Sequence, residues 1–72
     1  MTGIVKACGA GFGFLTDDAG VERMFYKKDV RPSPQVWLEP GDCVVFDPCE
    51  RPKGPAALRV RLVARGPRRF AP

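Results

Sequence analysis

Histidine is absent from the 72 residues, and hydroxyl groups are nearly so, with only Thr2, Thr16, Ser33 and Tyr26 to supply them. Without an imidazole or a serine-centred motif, the usual parts of acid–base and covalent catalysis are missing, and an enzyme is not expected. Asp17 and Asp18 are adjacent carboxylates, but Ala19-Gly20 directly after them marks a hairpin turn rather than a catalytic pair. Cysteine is limited to Cys8, Cys43 and Cys49, with no Cys-x-x-Cys spacing, so no tetrahedral metal set can be assembled from them and no metal or cofactor is expected. Three is an odd number, which fits reduced thiols better than a disulfide framework. No apolar run approaches the roughly 20 residues that span a bilayer. The opening residues, Met1 to Lys6, lack the charged and then apolar regions of a signal peptide, so a cytoplasmic location is the default expectation.

Acidic side chains are also missing from one part of the chain. Residues 1–50 carry all 8 acids against five bases, whereas residues 51–72 carry Arg51, Lys53, Arg59, Arg61, Arg65, Arg68 and Arg69 and no acid. The net charge of +4 therefore conceals an acidic body and a strongly basic end. A block of this kind is an electrostatic footprint for a polyanion. The chain is short enough for one small core and no more.

What is present reads as strands. Thr2 to Cys8 contains β-branched Ile4 and Val5, and Gly9-Ala10-Gly11 turns the chain into Phe12-Gly13-Phe14-Leu15-Thr16. Asp17 to Gly20 makes a hairpin, and Val21 to Lys27 is the third strand of an antiparallel meander. From Lys28 to Gly41 periodicity is lost, and Pro32, Pro34 and Pro40 exclude a helix or a central strand. Asp42 to Asp47 is a fourth strand that is expected to stop at Pro48. After a loop over 49–54, Pro55 to Val63 is the last strand, with Val60 and Leu62 on one side and Arg59 and Arg61 on the other. Five short strands in this order predict an all-β, five-stranded antiparallel barrel of the oligonucleotide-binding type over residues 1–63, with a basic, mobile tail over 64–72.

Successive strand side chains alternate faces, so Phe12 and Phe14 point one way while Gly11, Gly13 and Leu15 point the other. In the third strand Phe25 and Lys27 are placed on one face, and Met24 and Tyr26 on the opposite one. The expected result is a solvent-facing platform of Phe12, Phe14 and Phe25, with glycines clearing space around the rings. The inner set is then Val5, Leu15, Met24, Val44, Phe46, Val60 and Leu62.

These segments resemble the cold-shock domain, a small five-stranded barrel that binds single-stranded RNA and DNA. Thr2-Gly3-Ile4-Val5-Lys6 looks like its opening strand, Gly11-Phe12-Gly13-Phe14-Leu15 like its first ribonucleoprotein motif, and Arg23-Met24-Phe25-Tyr26-Lys27 sits where the second belongs. The segments 38–46 and 53–60 resemble the two C-terminal strand signatures, so the likeness covers nearly all of residues 2–63.

The resemblance implies a non-enzymatic nucleic-acid-binding domain acting as a small RNA chaperone or expression regulator. Phe12, Phe14 and Phe25 would stack bases, Trp37 would either serve as a substitute ring or cap the end of the barrel with Leu38, and Lys6, Lys27, Lys28, Lys53, Arg59 and Arg61 would contact phosphates. The departures are local. Ala7-Cys8-Gly9 replaces the family's Trp-Phe-Asn, Lys27 stands where a histidine is typical, and Tyr26 stands for a small inward aliphatic residue. At about 1–3 kcal/mol per base–aromatic stack, two lost platforms weaken binding by roughly 2–6 kcal/mol. Lysines and the basic tail would recover part of this in a salt-sensitive way. The alternative is a degenerate barrel that docks a protein partner through the same aromatic face.

Overall fold

The computed structural model describes residues 1–31 and 38–66. Among them are six strands: β1 Thr2–Cys8, β2 Phe12–Asp17, β3 Glu22–Tyr26, β4 Val30–Arg31, β5 Cys43–Arg51 and β6 Gly54–Ala64, with a single 3-10 turn at Lys27–Asp29. No α-helix occurs among the described residues, and none is long and apolar enough to cross a membrane.

Five of these strands close a barrel in the order β3-β2-β1-β5-β6, with β6 returning to β3, and β4 adds a short sixth strand beside β6. The pairings β1–β2, β2–β3, β1–β5 and β5–β6 are antiparallel, as the sequence leads one to expect. The closing pair β3–β6 is parallel, and so is β4–β6. This corrects the expectation of a wholly antiparallel barrel, and the reason is one of parity. A closed ring with an odd number of strands cannot alternate direction all the way round, so one seam must be parallel.

Two further differences concern the boundaries. β5 runs through Pro48 to Arg51 instead of stopping there, with Pro48 registered opposite Ala57. Together Met1 and β1 accompany β5 only as far as Phe46, so beyond that point β5 has no registered partner on that side among the described residues, and a proline without an N–H is tolerated. The expected loop over 49–54 therefore contracts to a tight Pro52-Lys53 turn between paired strands. β4 lies inside the stretch read as irregular, because two residues are too few to show a period.

The core is built from alternating positions of every strand: Val5, Leu15, Val44, Phe46 and Val60 are buried as expected. Val30, Leu38 and Ala57 join them, and Leu62 packs partly against the group. One expectation is reversed. Phe25 is 1% exposed and belongs to the core, whereas Met24 is only half-buried on the outside. The β2–β3 register pairs Gly13 with Phe25 and Leu15 with Arg23, so 23 and 25 face inward and 22, 24 and 26 face outward.

Immediately before β5, Asp42 is completely buried. Its carboxylate accepts hydrogen bonds from the Glu39 amide at 2.9 Å, the Gly66 amide at 2.8 Å and the Arg65 guanidinium at 2.9 Å. Arg65 and Gly66, read from the sequence as part of a mobile tail, are thus tied to the barrel. Residues 67–72, including Arg68, Arg69 and Phe70, lie outside the described residues.

Candidate functional site

The outer face of the β2–β3 hairpin carries four large side chains in two cross-strand pairs: Phe12 opposite Tyr26, and Phe14 opposite Met24. Phe12 is 48% exposed, and the other three are half-buried. The Phe12 and Phe14 rings meet edge to face with centroids 5.8 Å apart. This T-shaped arrangement leaves ring surface open to solvent. The Lys28 ammonium sits 5.6 Å from the centre of the Tyr26 ring, within cation–π range.

Beside this strip lies a groove of about 500 Å³. One wall is Phe14, Met24 and Tyr26. The other is the β5–β6 turn, with Arg51, Lys53 and Pro55, and the floor is Ala56. Glu22 stands at one end, where its carboxylate is 2.8 Å from the Lys6 ammonium in an exposed ion pair. The walls are mainly apolar, and the two hairpin cations, Arg51 and Lys53, border them with positive charge.

The residues singled out from the sequence distribute as follows. Phe12 and Phe14 face outward on β2, and Lys53 and Lys28 lie on the rim of the same surface. Lys6 is exposed but engaged by Glu22. Lys27 is half-buried at the 3-10 turn, beside a small cavity of about 20 Å³ that it shares with Phe12, Phe25 and Leu38. Arg59 and Arg61 are exposed on β6 and do not line the groove. Arg59 is paired with Asp47, and Arg61 is registered beside Val45 and Arg31. Trp37 lies outside the described residues.

Phe25 requires a correction. Its ring is inside the barrel, so it is not a member of the outer platform. The physical cause is the company it keeps: Gly13, opposite it, leaves the space its ring occupies, and Arg23, two residues earlier, is held inside by a buried acid. Tyr26, placed inward by sequence, is outward.

Met24, Tyr26, Arg51 and Pro55 are site residues that the sequence reading did not select. Residues 24–26 are three apolar side chains in a row, so alternation alone does not choose between the two parities. A signal was present nonetheless. Alternation from Leu15 puts Asp17 inside, a buried carboxylate needs a cation, and Arg23 is the basic residue across the hairpin.

That pair is formed as described. The Asp17 carboxylate accepts from Arg23 Nε at 2.8 Å and from the Ala19 and Val21 amides at 2.9 Å each, closing the turn. The Arg23 bond, with help from the Val21 and Ala19 amides, holds the Asp17 carboxyl below its ordinary range. The same contact raises the Arg23 guanidinium further, so both groups stay charged. The three cysteines are free thiols. Cys8 is exposed as a residue, yet partial desolvation of its sulfur raises its pKa against the opposing pull of Lys27, which is the reverse of an activated nucleophile.

No protein-family model matches the chain, and the search of curated proteins found no match.

Proposed function

We propose that this chain is a single-stranded nucleic-acid-binding domain of the cold-shock type, its barrel an oligonucleotide-binding fold. It would hold RNA or DNA by stacking bases on an outer aromatic strip and by contacting phosphates with flanking cations. The observation that carries the reading is the continuous outer surface of Phe12, Phe14, Met24 and Tyr26, bordered by Lys28, Arg51 and Lys53. Bases stack on exposed rings whatever their sequence, and lysine and arginine beside them supply the salt-dependent part of the affinity. The thioether of Met24 is a polarizable neighbour for a ring, and it softens one position of the platform.

The function is binding, not catalysis. Unstacked bases held on such a surface are withdrawn from weak secondary structure, which is the activity of an RNA chaperone. With fewer rings than the resemblance alone implies, charge takes a larger share of the affinity. Binding is then weak at high salt and tolerant of sequence.

The test is titration of a labelled single-stranded oligonucleotide. Binding is expected to fall as salt rises and to be lost on Phe14→Ala. Saturable binding unchanged by that substitution refutes the platform. An absence of binding at low salt transfers the aromatic face to the alternative role of protein docking.

A further inference from the structure

The seam that closes the barrel is short. β3 and β6 meet in one registered pair, Met24 opposite Ala56, whereas β5 and β6 share eight. Both members of that single pair line the groove, so whatever holds the seam also sets the distance between the groove's walls.

Directly behind Met24 is the Arg23 side chain, 9% exposed. Its Nε donates to Asp17 Oδ2 at 2.8 Å, within the β2–β3 hairpin. Its Nη1 reaches across to the β5–β6 hairpin, donating to Glu50 Oε2 at 2.9 Å and the Ala56 carbonyl at 3.1 Å, with the Cys49 carbonyl at 3.4 Å. One guanidinium therefore bridges the two hairpins that form the two walls. The planar fork of arginine presents donors in divergent directions, which a single ammonium does not.

We propose that Arg23 is a positioning residue for the groove: anchored on Asp17, it clasps the β5–β6 hairpin to β3 and fixes the gap that Arg51 and Lys53 overlook. A base as the occupant rests on the function proposed above, but the clasp itself does not. Arg23 touches no ligand. It holds the two walls together, and it keeps the hairpin cations over the site rather than swinging freely.

The experiment compares the parent with Arg23→Lys and Arg23→Met by amide hydrogen exchange and by titration of a labelled single-stranded oligonucleotide at several salt concentrations. Arg23→Lys keeps a cation beside Asp17 and loses the reach to the carbonyls, so it carries the test even if Arg23→Met does not fold. The expected result is exchange at Ala56 and Ala57 faster by about tenfold, with Val5 and Val44 within about twofold of the parent, the mark of local opening. Affinity falls, and the slope of log affinity against log salt flattens by about one, because Arg51 and Lys53 no longer act together. Exchange at Ala56 and Ala57 that is unchanged, or that rises equally at Val5 and Val44, overturns the clasp. A parent that binds no oligonucleotide overturns the proposed function instead, and the exchange comparison alone then decides the clasp.

Discussion

Gly13 lies against the ring of Phe25: a Cβ built on Gly13 would stand 2.7 Å from Phe25 Cζ and 2.7 Å from the Ala7 carbonyl oxygen. The glycine between the two outward phenylalanines thus makes room on the inner side, for a third ring, and not around the outer ones. Gly13→Ala is expected to destabilise the barrel by about 1–3 kcal/mol, because backbone on one side and a buried ring on the other both resist displacement. Chemical denaturation checks this. Gly11, which has nothing within 4 Å of its added Cβ, is the control, and Gly11→Ala should be tolerated.

The same geometry separates the phenylalanines by what they do. Phe25→Ala empties a buried site and should cost about 3–5 kcal/mol, a large part of the stability of so small a domain. Phe14→Ala removes a half-buried ring and its edge contact with Phe12, a loss of about 1 kcal/mol, while removing the proposed stacking surface. Thermal melts of both variants beside oligonucleotide titration distinguish the roles. Equal stability losses would contradict the assignment of faces.

Much of this fold was readable because strong local signals agreed. β-branched residues marked β1 with its observed ends, and the Gly-Phe-Gly-Phe alternation gave β2 its parity from sequence alone. β3 was harder: Met24, Phe25 and Tyr26 are all apolar, and the deciding fact is a pairing across the hairpin, Asp17 with Arg23, in which polar residues occupy inner positions. Parity there is a property of two strands at once. The groove's second wall was hidden for a similar reason, since Arg51 and Pro55 meet Phe14 only through the parallel β3–β6 closure, a contact between distant parts of the chain. Asp42 gave no local sign that it binds Arg65 and Gly66.

Acid should loosen the β2–β3 turn. The folded-state pKa of Asp17 is lowered from the ordinary value of 3.8, chiefly by the hydrogen bond from Arg23. A lowered carboxyl contributes stability that is present above its unfolded pKa and is lost as pH falls through the folded value. Melting temperature as a function of pH, for the parent and Asp17→Asn, tests this. The gap between the two is expected to be constant near neutrality and to narrow as pH drops below about 4. A gap that persists unchanged at low pH would mean the carboxylate's charge contributes nothing.

Arg59 has φ of +49°, the one described non-glycine residue in the left-handed region, at a bulge where β6 carries one residue more than β5 between Val45 and Asp47. Its exposed ion pair with Asp47 is worth little in solvent. Arg59→Gly is therefore expected to leave stability within about 1 kcal/mol of the parent or to raise it, because glycine adopts this conformation without steric cost. Arg59→Val should lower it by about 1–3 kcal/mol, since a β-branched side chain is strained there. Denaturant midpoints for the two variants decide the matter, and a valine as stable as the glycine would argue against the bulge.

Met24 offers a gain-of-function test of the outer strip. It stands opposite Phe14, between Phe14 and the β5–β6 turn, and it is the one non-aromatic member of the four-residue platform. Being outward and half-buried, it can take a ring without intruding on the core, whose inner position at β3 is already filled by Phe25. If bases stack on this face, Met24→Phe adds up to one stacking partner, and at about 1–3 kcal/mol per stack the affinity for single-stranded DNA or RNA should tighten by about fivefold or more. The gain should persist at high salt, because stacking releases no counterions, whereas the contribution of Lys53 or Arg51 disappears there. Fluorescence anisotropy of a labelled oligonucleotide at low and high salt reads both quantities. An unchanged affinity, with the fold intact, would place the bound strand somewhere other than the groove beside Met24.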